Sequence, residues 1–222
     1  MSEQIRLAHV WRQFCDDLAG AGEVLLRDSV PATPLDQAEG LRYLSRLTRT
    51  ALNMLVDSAD PDLPRMFQLC DDTIKIGGDN PDNVYVQAVV NPAREYRISG
   101  KRNGCPYLSF GSKANRYATD GTMVSTGEVE LDDLEVGADG SFEIVASVTP
   151  QAGNWLPMAQ DTSLIIVRET FDDKRTQSKA DVTIERMGEG PSAHPLLTPE
   201  TITAQLSGAA AFVRGTANTF AD

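Results

Sequence analysis

The chain has 222 residues, of which 41% are hydrophobic and 23% are charged, and its formal net charge at pH 7 is −12. This size and balance predict one large folded domain, or one domain with a helical attachment. The negative charge argues against DNA, RNA or an anionic membrane surface as a partner, because phosphate groups are bound by basic surfaces.

The cysteines and the N-terminal residues indicate the cellular compartment in which the protein is expected. Cys15, Cys70 and Cys105 are widely spaced and form no zinc or disulfide pattern. The charged N-terminus has no apolar run behind it, so no signal peptide is expected, and no apolar stretch is long enough to cross a bilayer. We therefore predict a cytoplasmic protein, with no nucleic acid and no membrane among its partners.

Two helices are predicted before the first strand. Apolar residues at helical spacing predict the first helix from about Ser2 to Leu18. Thr33 as the N-cap and Pro34 at the first helical position begin the second helix, and the proline-rich segment 60–64 ends it. The apolar faces of these helices could pack on each other, on a sheet or on another subunit.

From Ile74 the apolar period changes from helical spacing to two, which is the period of a strand. Turn sequences separate most of the short β-like segments, and no helical pattern lies between them, so the residues predict an antiparallel sandwich or barrel. The predicted strands are Val84–Val90, Tyr96–Gly100, Tyr107–Phe110, Glu128–Val136, Phe142–Val148, Leu164–Phe171 and Asp181–Met187.

A third helix is predicted after the strands, with Thr198 as its N-cap and Pro199 at its first position. The predicted organisation is an N-terminal helical segment over residues 1–73, a β-sandwich domain over 74–188, and a linker with a C-terminal helix over 189–222. The predicted class is α+β, mainly β.

Three segments resemble a known bacterial family. The run from Gly78 to Tyr85, the triplet Asn115-Arg116-Tyr117 and the segment Gly153-Asn154-Trp155-Leu156-Pro157 are similar to domain-of-unknown-function family 1214. The resemblance covers roughly Ile74 to Met187. It implies a jelly-roll-like sandwich, often paired with a second domain of unknown function in longer relatives, and it implies no particular activity.

Metal chemistry has little support in the sequence. The chain has only two histidines, His9 and His194, and neither falls in a predicted strand, so a cupin-type histidine site is not expected. No metal and no cofactor are predicted. One cluster of oxygen-bearing side chains could either bind calcium or form an ordinary turn: Asp79, Asn80, Asp82 and Asn83. Its spacing matches no EF-hand loop and favours the turn.

General acid–base chemistry is the enzymatic activity that fits the residues best. A carboxylate at a strand entrance could act as acid or base, tyrosines could donate hydrogen bonds, and an arginine could hold an oxyanion. The predicted catalytic residues are Asp82, Asp79, Arg168 and Tyr117. The predicted substrate-binding residues are Asn83, Tyr85, Arg97, Trp155 and Asp120.

Arg168 and Trp155 each have an alternative role. Arg168 shares a strand face with Leu164 and Ile166, so we expect it next to the core and paired with an aspartate, unless the strand ends at Val167 and the arginine reaches water. Trp155 could offer a flat wall to a ligand or plug the end of the sandwich.

Three classes of function follow from these residues. The leading hypothesis is a metal-independent acid–base enzyme of the lyase, isomerase or hydrolase type, acting on a small, largely apolar molecule in a sandwich pocket. The alternatives are a non-catalytic small-ligand or carbohydrate-binding module and a helix-mediated interaction protein. A homo-oligomer formed through the helices is a weaker expectation.

Overall fold

The computed structural model describes residues 3–78, 80–116 and 119–221. A 3-10 turn at Gly22–Leu26 follows the first helix, and a π-helical turn at Asn53–Asp57 follows the second. The main elements, in chain order, are α1 (Glu3–Ala21), α2 (Pro34–Leu52), β1 (Asn83–Val89), β2 (Tyr96–Lys101), β3 (Tyr107–Arg116), β4 (Thr122–Glu130), β5 (Ser141–Ser147), β6 (Trp155–Pro157), β7 (Leu164–Thr170), β8 (Asp181–Arg186) and α3 (Pro199–Ala221).

The starts of α2 and α3 confirm the predicted caps. The Thr33 hydroxyl accepts the backbone N–H of Asp36 at 3.2 Å, and the Asp36 carboxylate accepts the backbone N–H of Thr33 at 3.3 Å. This reciprocal pair is a capping box, which satisfies backbone donors that have no partner within the helix. At α3 the Thr198 hydroxyl accepts the backbone N–H of Thr201 at 3.2 Å.

The strands form two open four-stranded sheets. The strand order is β1-β7-β3-β4 in the first sheet and β6-β5-β2-β8 in the second. Strand pairs are antiparallel except β5 with β6, which run parallel. The predicted class is confirmed: the chain is α+β and mainly β, a jelly-roll-like sandwich with helices before and after it.

The interior of the sandwich is filled with side chains. Alternate residues of facing strands enter it, because successive side chains of a strand point to opposite faces. The rings of Phe110 and Phe142, one from each sheet, meet edge to face at 5.3 Å between centroids. Tyr96, Ile98 and Ile165 are fully buried in the same core. Ligand access is therefore confined to the ends and the outer faces of the sheets.

Three strand predictions differ from the structure. β3 continues six residues past Phe110 to Arg116, and β4 begins at Thr122. The predicted strand Glu128–Val136 ends early, because residues 131–133 form a 3-10 turn. β6 was not predicted at all. Residues of β3 and β4 are mostly small or polar along these stretches, and the apolar pair Met123 and Val124 is adjacent, so the apolar alternation that marks a half-buried strand is missing.

The helices at the two ends of the chain share one apolar core. Phe14 of α1, Leu47 and Ala51 of α2, and Val213 of α3 are buried together in it. The sequence leaves three packing arrangements open for the first two helices, and the structure shows a different one, because α1 and α2 each pack mainly against α3. Nowhere among the described residues is there a helix that combines the length and the apolarity needed to cross a bilayer.

Candidate functional site

Asn83 and Tyr85 lie together on the outer face of the first sheet, where β1 begins. The Asn83 amide nitrogen donates to the Tyr85 hydroxyl at 2.6 Å, and the Asn83 amide oxygen accepts the Thr170 hydroxyl at 2.8 Å. Their i, i+2 spacing places both side chains on one face of the strand. Asp82 is exposed just before them, and its carbonyl accepts the backbone N–H of Phe171 at 3.0 Å.

Arg168 lies on the outer face of the first sheet, and not next to the sandwich core. It is the register partner of Tyr85 on one side and of Ser109 on the other. Its Nε donates to the Ser109 hydroxyl at 3.4 Å, and its guanidinium lies 5.7 Å from the centroid of the Tyr107 ring. A cation over an aromatic face is favourable, so Arg168 has a structural partner other than the predicted aspartates.

Arg97 and Trp155 belong to the second sheet and do not join the other predicted residues. Arg97 lies on its outer face, where it donates to Glu185 at 2.9 Å and lies 3.3 Å from Glu143. The Trp155 indole N–H is 3.2 Å from the carbonyl of Ser147 and 3.1 Å from its hydroxyl, so it is held against the neighbouring strand β5. The two sheets thus separate the residues that the sequence assigned to one pocket.

The remaining predicted residues are Asp120, Asp79 and Tyr117. Asp120 lies in the turn between β3 and β4, where its Oδ1 accepts the Thr122 hydroxyl at 2.5 Å and the Thr122 N–H at 3.0 Å. These bonds, the hydroxyl bond first, lower the pKa of Asp120. Its role in the structure is to close this turn. Asp79 and Tyr117 lie outside the described residues.

A cleft of about 340 Å³ opens where β1 begins, between residues 68–75 and the loop that joins β7 to β8. We call it the lysine cleft. Two of the predicted substrate-binding residues, Asn83 and Tyr85, line it, and exposed Asp82 sits between two residues of its wall. The lining residues are Gln68, Cys70, Asp71, Asp72, Lys75, Pro81, Asn83, Val84, Tyr85, Lys174 and Lys179.

Three of the five lysines in the chain, Lys75, Lys174 and Lys179, line this one cleft. Lys174 fastens the β7–β8 loop to β1, because its ammonium donates to the carbonyls of Pro81 and Asn83. The ammonium of Lys179 makes no hydrogen bond or ion pair with the part of the chain that the structure describes. Lys179 is therefore the lysine best placed to meet a ligand.

Two carboxylates also line the lysine cleft, and one of them is already engaged. Oδ1 of Asp71 accepts the Thr73 hydroxyl at 2.6 Å and the backbone N–H groups of Thr73 and Ile74 at 2.6 and 2.8 Å. Arg49 lies 3.9 Å from its other oxygen. These contacts, the Thr73 hydroxyl first, lower the pKa of Asp71. Asp72 is the other carboxylate. The residues that line the cleft therefore include three lysines and two aspartates.

A buried carboxyl, Glu169, lies on β7 beside a strand residue that lines the lysine cleft, although Glu169 itself is not in the lining. It is the register partner of Val84, which lines the cleft, and its Oε2 accepts the backbone N–H of Ala180 at 2.7 Å. Glu169 is 2% exposed, and this burial raises its pKa. Burial, together with the charge of Glu169, raises the pKa of neighbouring Cys105 to about 11.

Sequence reasoning missed Glu169 and assigned its place next to the core to Arg168. Ile165 and Val167 enter the sandwich core, and Glu169 continues their face of β7. Both faces of β7 are apolar from Leu164 to Val167, so the period of two does not indicate which face of the strand is buried in the sandwich core. The signal available in the sequence was that Ile165, Val167 and Glu169 alternate and so share one face of the strand. The hydrogen bond from the Ala180 N–H to Glu169 depends on the fold and could not be read from this pattern.

The segment Asn80–Asn83 adopts a turn. The Asn80 side-chain oxygen accepts the backbone N–H of Asp82 at 2.9 Å, and the Asn80 carbonyl accepts the backbone N–H of Asn83 at 3.1 Å. This is an Asx turn, in which the asparagine side chain organises the backbone that follows it. Within residues 3–78, 80–116 and 119–221, no group of three His, Cys, Asp or Glu side chains could hold a metal ion.

One solved structure matches nearly all of the chain. It is the crystal structure of an uncharacterized protein from Burkholderia cenocepacia, which is 45% identical and superposes with a TM-score of 0.92 over 97% of this chain. The chain spans 60% of the length of that protein. A protein from Vibrio parahaemolyticus is 14% identical, with a TM-score of 0.39 over 71% of this chain and 47% of its own, a likeness too weak to assign a fold.

Other comparisons give no name for the family. No protein-family model matches the chain, and no functionally curated protein matches it. The Burkholderia structure therefore supports the fold, while the resemblance to domain-of-unknown-function family 1214 stays a prediction.

Proposed function

We propose that the chain binds a small organic anion in the lysine cleft. The observation that carries this proposal is the gathering of three of five lysines at one cleft of a chain whose net charge is −12. Because the lining holds three lysines and two aspartates, its charge is positive on balance, and a cleft with net positive charge attracts anions. The Asn83 amide and the Tyr85 hydroxyl, 2.6 Å apart, add polar groups that can orient a ligand.

The proposal is tested by titrating the ¹⁵N-labelled protein with acetate and with inorganic phosphate, using acetamide as the neutral control. We expect amide shifts centred on Asn83, Tyr85 and Lys179 with the anions and none with acetamide. Binding should weaken as ionic strength rises, because salt screens interactions between exposed charges. Shifts scattered over the surface, or equal shifts with acetamide, would refute the proposal.

Lys179→Met is the decisive variant, and Lys101→Met is its matched control. Lys101 is a partly exposed lysine outside the cleft, with its ammonium 3.1 Å from Asp139. Removing an ammonium that meets the anion should weaken binding by about threefold to tenfold, the range between an exposed ion pair and a charged hydrogen bond. The control variant should bind as the wild type does. Equal binding by both variants would exclude Lys179 from the site.

Metal-independent acid–base catalysis is the second candidate function, and buried Glu169 is the observation that favours it. A carboxyl whose pKa is raised keeps its proton to a higher pH, and the protonated form is the one that a general acid needs. Because Glu169 is only 2% exposed, catalysis requires the loop 171–180 to open. Proton exchange or conversion of the bound anion, followed by NMR in D₂O, should occur with wild type and stop with Glu169→Gln while binding persists. Unchanged anion with the wild type would refute catalysis.

Three further proposals concern the whole chain. We propose that it is cytoplasmic on the basis of its cysteine usage, because Cys15, Cys70 and Cys105 are odd in number and widely spaced, which suits a reducing compartment. We assign it to domain-of-unknown-function family 1214 on the segments quoted above. We also propose a homodimer through the helices, supported by Trp11 and Leu41, which are 59% and 62% exposed.

A further inference from the structure

A second, apolar cavity of about 500 Å³ lies on the helical side of the molecule. Side chains from the segment after α1 and from the end of α3 form its walls, among them Val24, Val30, Ala217 and Phe220. Its volume falls within the range of small-molecule sites, which are concave and largely apolar with a few polar groups.

The apolar cavity and the lysine cleft share a wall. Lys75 lines both of them, and it also lines a third cavity, of about 380 Å³, together with Tyr43. A lysine combines a hydrocarbon stem with a charged end, so it suits a boundary between apolar and polar space. The two cavities are therefore neighbours on either side of one side chain.

Tyr43 provides a second link at this boundary. It lines the apolar cavity, and its buried hydroxyl has no hydrogen-bond partner among the described residues. Burial, followed by the effect of Cys70 in the lysine cleft, raises the pKa of Tyr43. A buried hydroxyl without a partner is costly, and a ligand oxygen placed there would satisfy it.

We propose that the ligand is an amphipathic carboxylate, with its charged group in the lysine cleft and a hydrocarbon tail in the apolar cavity. This inference rests on the proposed function and narrows its ligand class. Neither cavity alone suits such a molecule, because the cleft is polar and charged while the cavity is mostly apolar. Adjacent cavities of opposite character match the two ends of one amphipathic ligand.

The test is a chain-length series of straight-chain carboxylates, from acetate to decanoate, used below the concentrations at which they form micelles. Each methylene that enters an apolar cavity should tighten binding by about fourfold. Amide shifts should spread from Asn83 and Lys179 to Val30 and Ala217 as the chain grows. Affinity that does not change with length, or shifts that never reach the apolar cavity, would overturn the inference.

Val30→Trp fills the apolar cavity, and Leu26→Trp is the matched control. Leu26 is 79% exposed and does not line the cavity. We expect Val30→Trp to reduce decanoate affinity to the level of acetate while acetate binding is unchanged, and Leu26→Trp to leave both unchanged. If Val30→Trp fails to fold, the length series on the wild type still decides the question.

The outcomes separate this inference from the proposed function. If acetate and decanoate both fail to bind, the proposed function fails and this inference fails with it. If acetate binds through Lys179 but affinity does not rise with chain length, only the amphipathic ligand class is refuted. If decanol binds as tightly as decanoate and Lys179→Met changes neither, the cavity takes neutral apolar molecules and the link to the lysine cleft is refuted.

Discussion

Tyr96 shows how one residue joins the sandwich core to the segment that arrives from the helices. Its ring is fully buried in the core. Its hydroxyl accepts the backbone N–H of Asn91 at 2.8 Å and donates to the carbonyl of Pro61 at 3.0 Å. Burial raises the pKa of Tyr96 to about 12, so the hydroxyl stays a neutral donor throughout the physiological range.

Tyr96→Phe should destabilise the protein by about 1–3 kcal/mol, because partly buried backbone groups of Asn91 and Pro61 lose their partner. The control is Tyr107→Phe, which removes a hydroxyl that donates to Glu130 at 2.8 Å in an exposed position. That change should cost less than about 0.5 kcal/mol. Denaturant unfolding gives the free energy of unfolding of both variants. Equal decreases would show that the Tyr96 hydroxyl stabilises the fold no more than an exposed tyrosine hydroxyl does.

Glu169 predicts a pH dependence of stability. Its folded pKa lies above the ordinary value of 4.5, so its contribution is fully present below pH 4.5 and is lost as pH rises through the folded pKa. Glu169→Gln keeps an acceptor for the Ala180 N–H and cannot ionise. We therefore expect the variant to have a higher Tm than wild type at pH 8 and a similar Tm at pH 4.

Glu143→Gln is the control for this pH profile, since the Glu143 side chain is 60% exposed. It should change stability by less than about 0.5 kcal/mol at either pH. A Glu169→Gln variant that is less stable than wild type at pH 8 would mean that the ionised carboxylate is the form the fold requires.

Among the elements, β4 and β6 meet at a glycine. A Cβ added to Gly127 would lie 2.2 Å from the carbonyl oxygen of Pro157, and that same oxygen accepts the Ser112 hydroxyl at 2.6 Å. This approach connects one edge of the first sheet to β6 of the second. Glycine is required here because any side chain would push the two backbones apart.

Gly127→Ala should therefore destabilise the protein by about 1–3 kcal/mol through overpacking. Gly20→Ala is the control, because an added Cβ there has no atom within 4 Å, and alanine in a helix is favoured over glycine by up to about 1 kcal/mol. Thermal unfolding of the two variants should thus shift Tm in opposite directions. A Gly127→Ala variant with the same Tm as wild type would show that β6 can move away from β4.

For the molecule as a whole, the helical core and the sandwich join along β1. The backbones of Phe67 and Gln87 exchange two hydrogen bonds of 2.9 and 2.8 Å, and Val89 packs against the helical core. Asp62 contacts Arg94 at 2.8 Å and Arg186 at 3.3 Å at the same junction. The lysine cleft lies beside this junction, and boundaries between structural units are common places for ligand sites.

If the chain forms a homodimer, light scattering should give a mass twice that of one chain. Apolar side chains that helices leave exposed, such as Trp11 at 59%, would be removed from water in the dimer. Trp11→Glu should shift the mass to that of a monomer. Leu196→Glu, at a position 93% exposed in the linker, should leave the dimer intact. A monomeric wild type would contradict the prediction.

Much of the fold could be predicted from local pattern, but only part of the site could. Asn83 and Tyr85 were both predicted to bind substrate and both line the lysine cleft, although the predicted strand began at Val84 and left Asn83 in the turn before it. Arg97 and Trp155 could not be separated from them by pattern, because strand period does not say which strands share a sheet. Lys179 carried no signal of its own, since only Lys174 among the other lining residues is near it in sequence, and the rest belong to residues 68–85.

The sequence by itself determined the three helices and most of the strands, where α2 and α3 begin, and that the class is mainly β, because periodicity and capping are local properties of neighbouring residues. Only the tertiary structure decided that Glu169, and not Arg168, faces the interior, and that three lysines meet at one cleft. The physical reason is that these outcomes depend on which face of each strand is buried and on contacts between distant segments, and the chain fixes those only when its two cores pack.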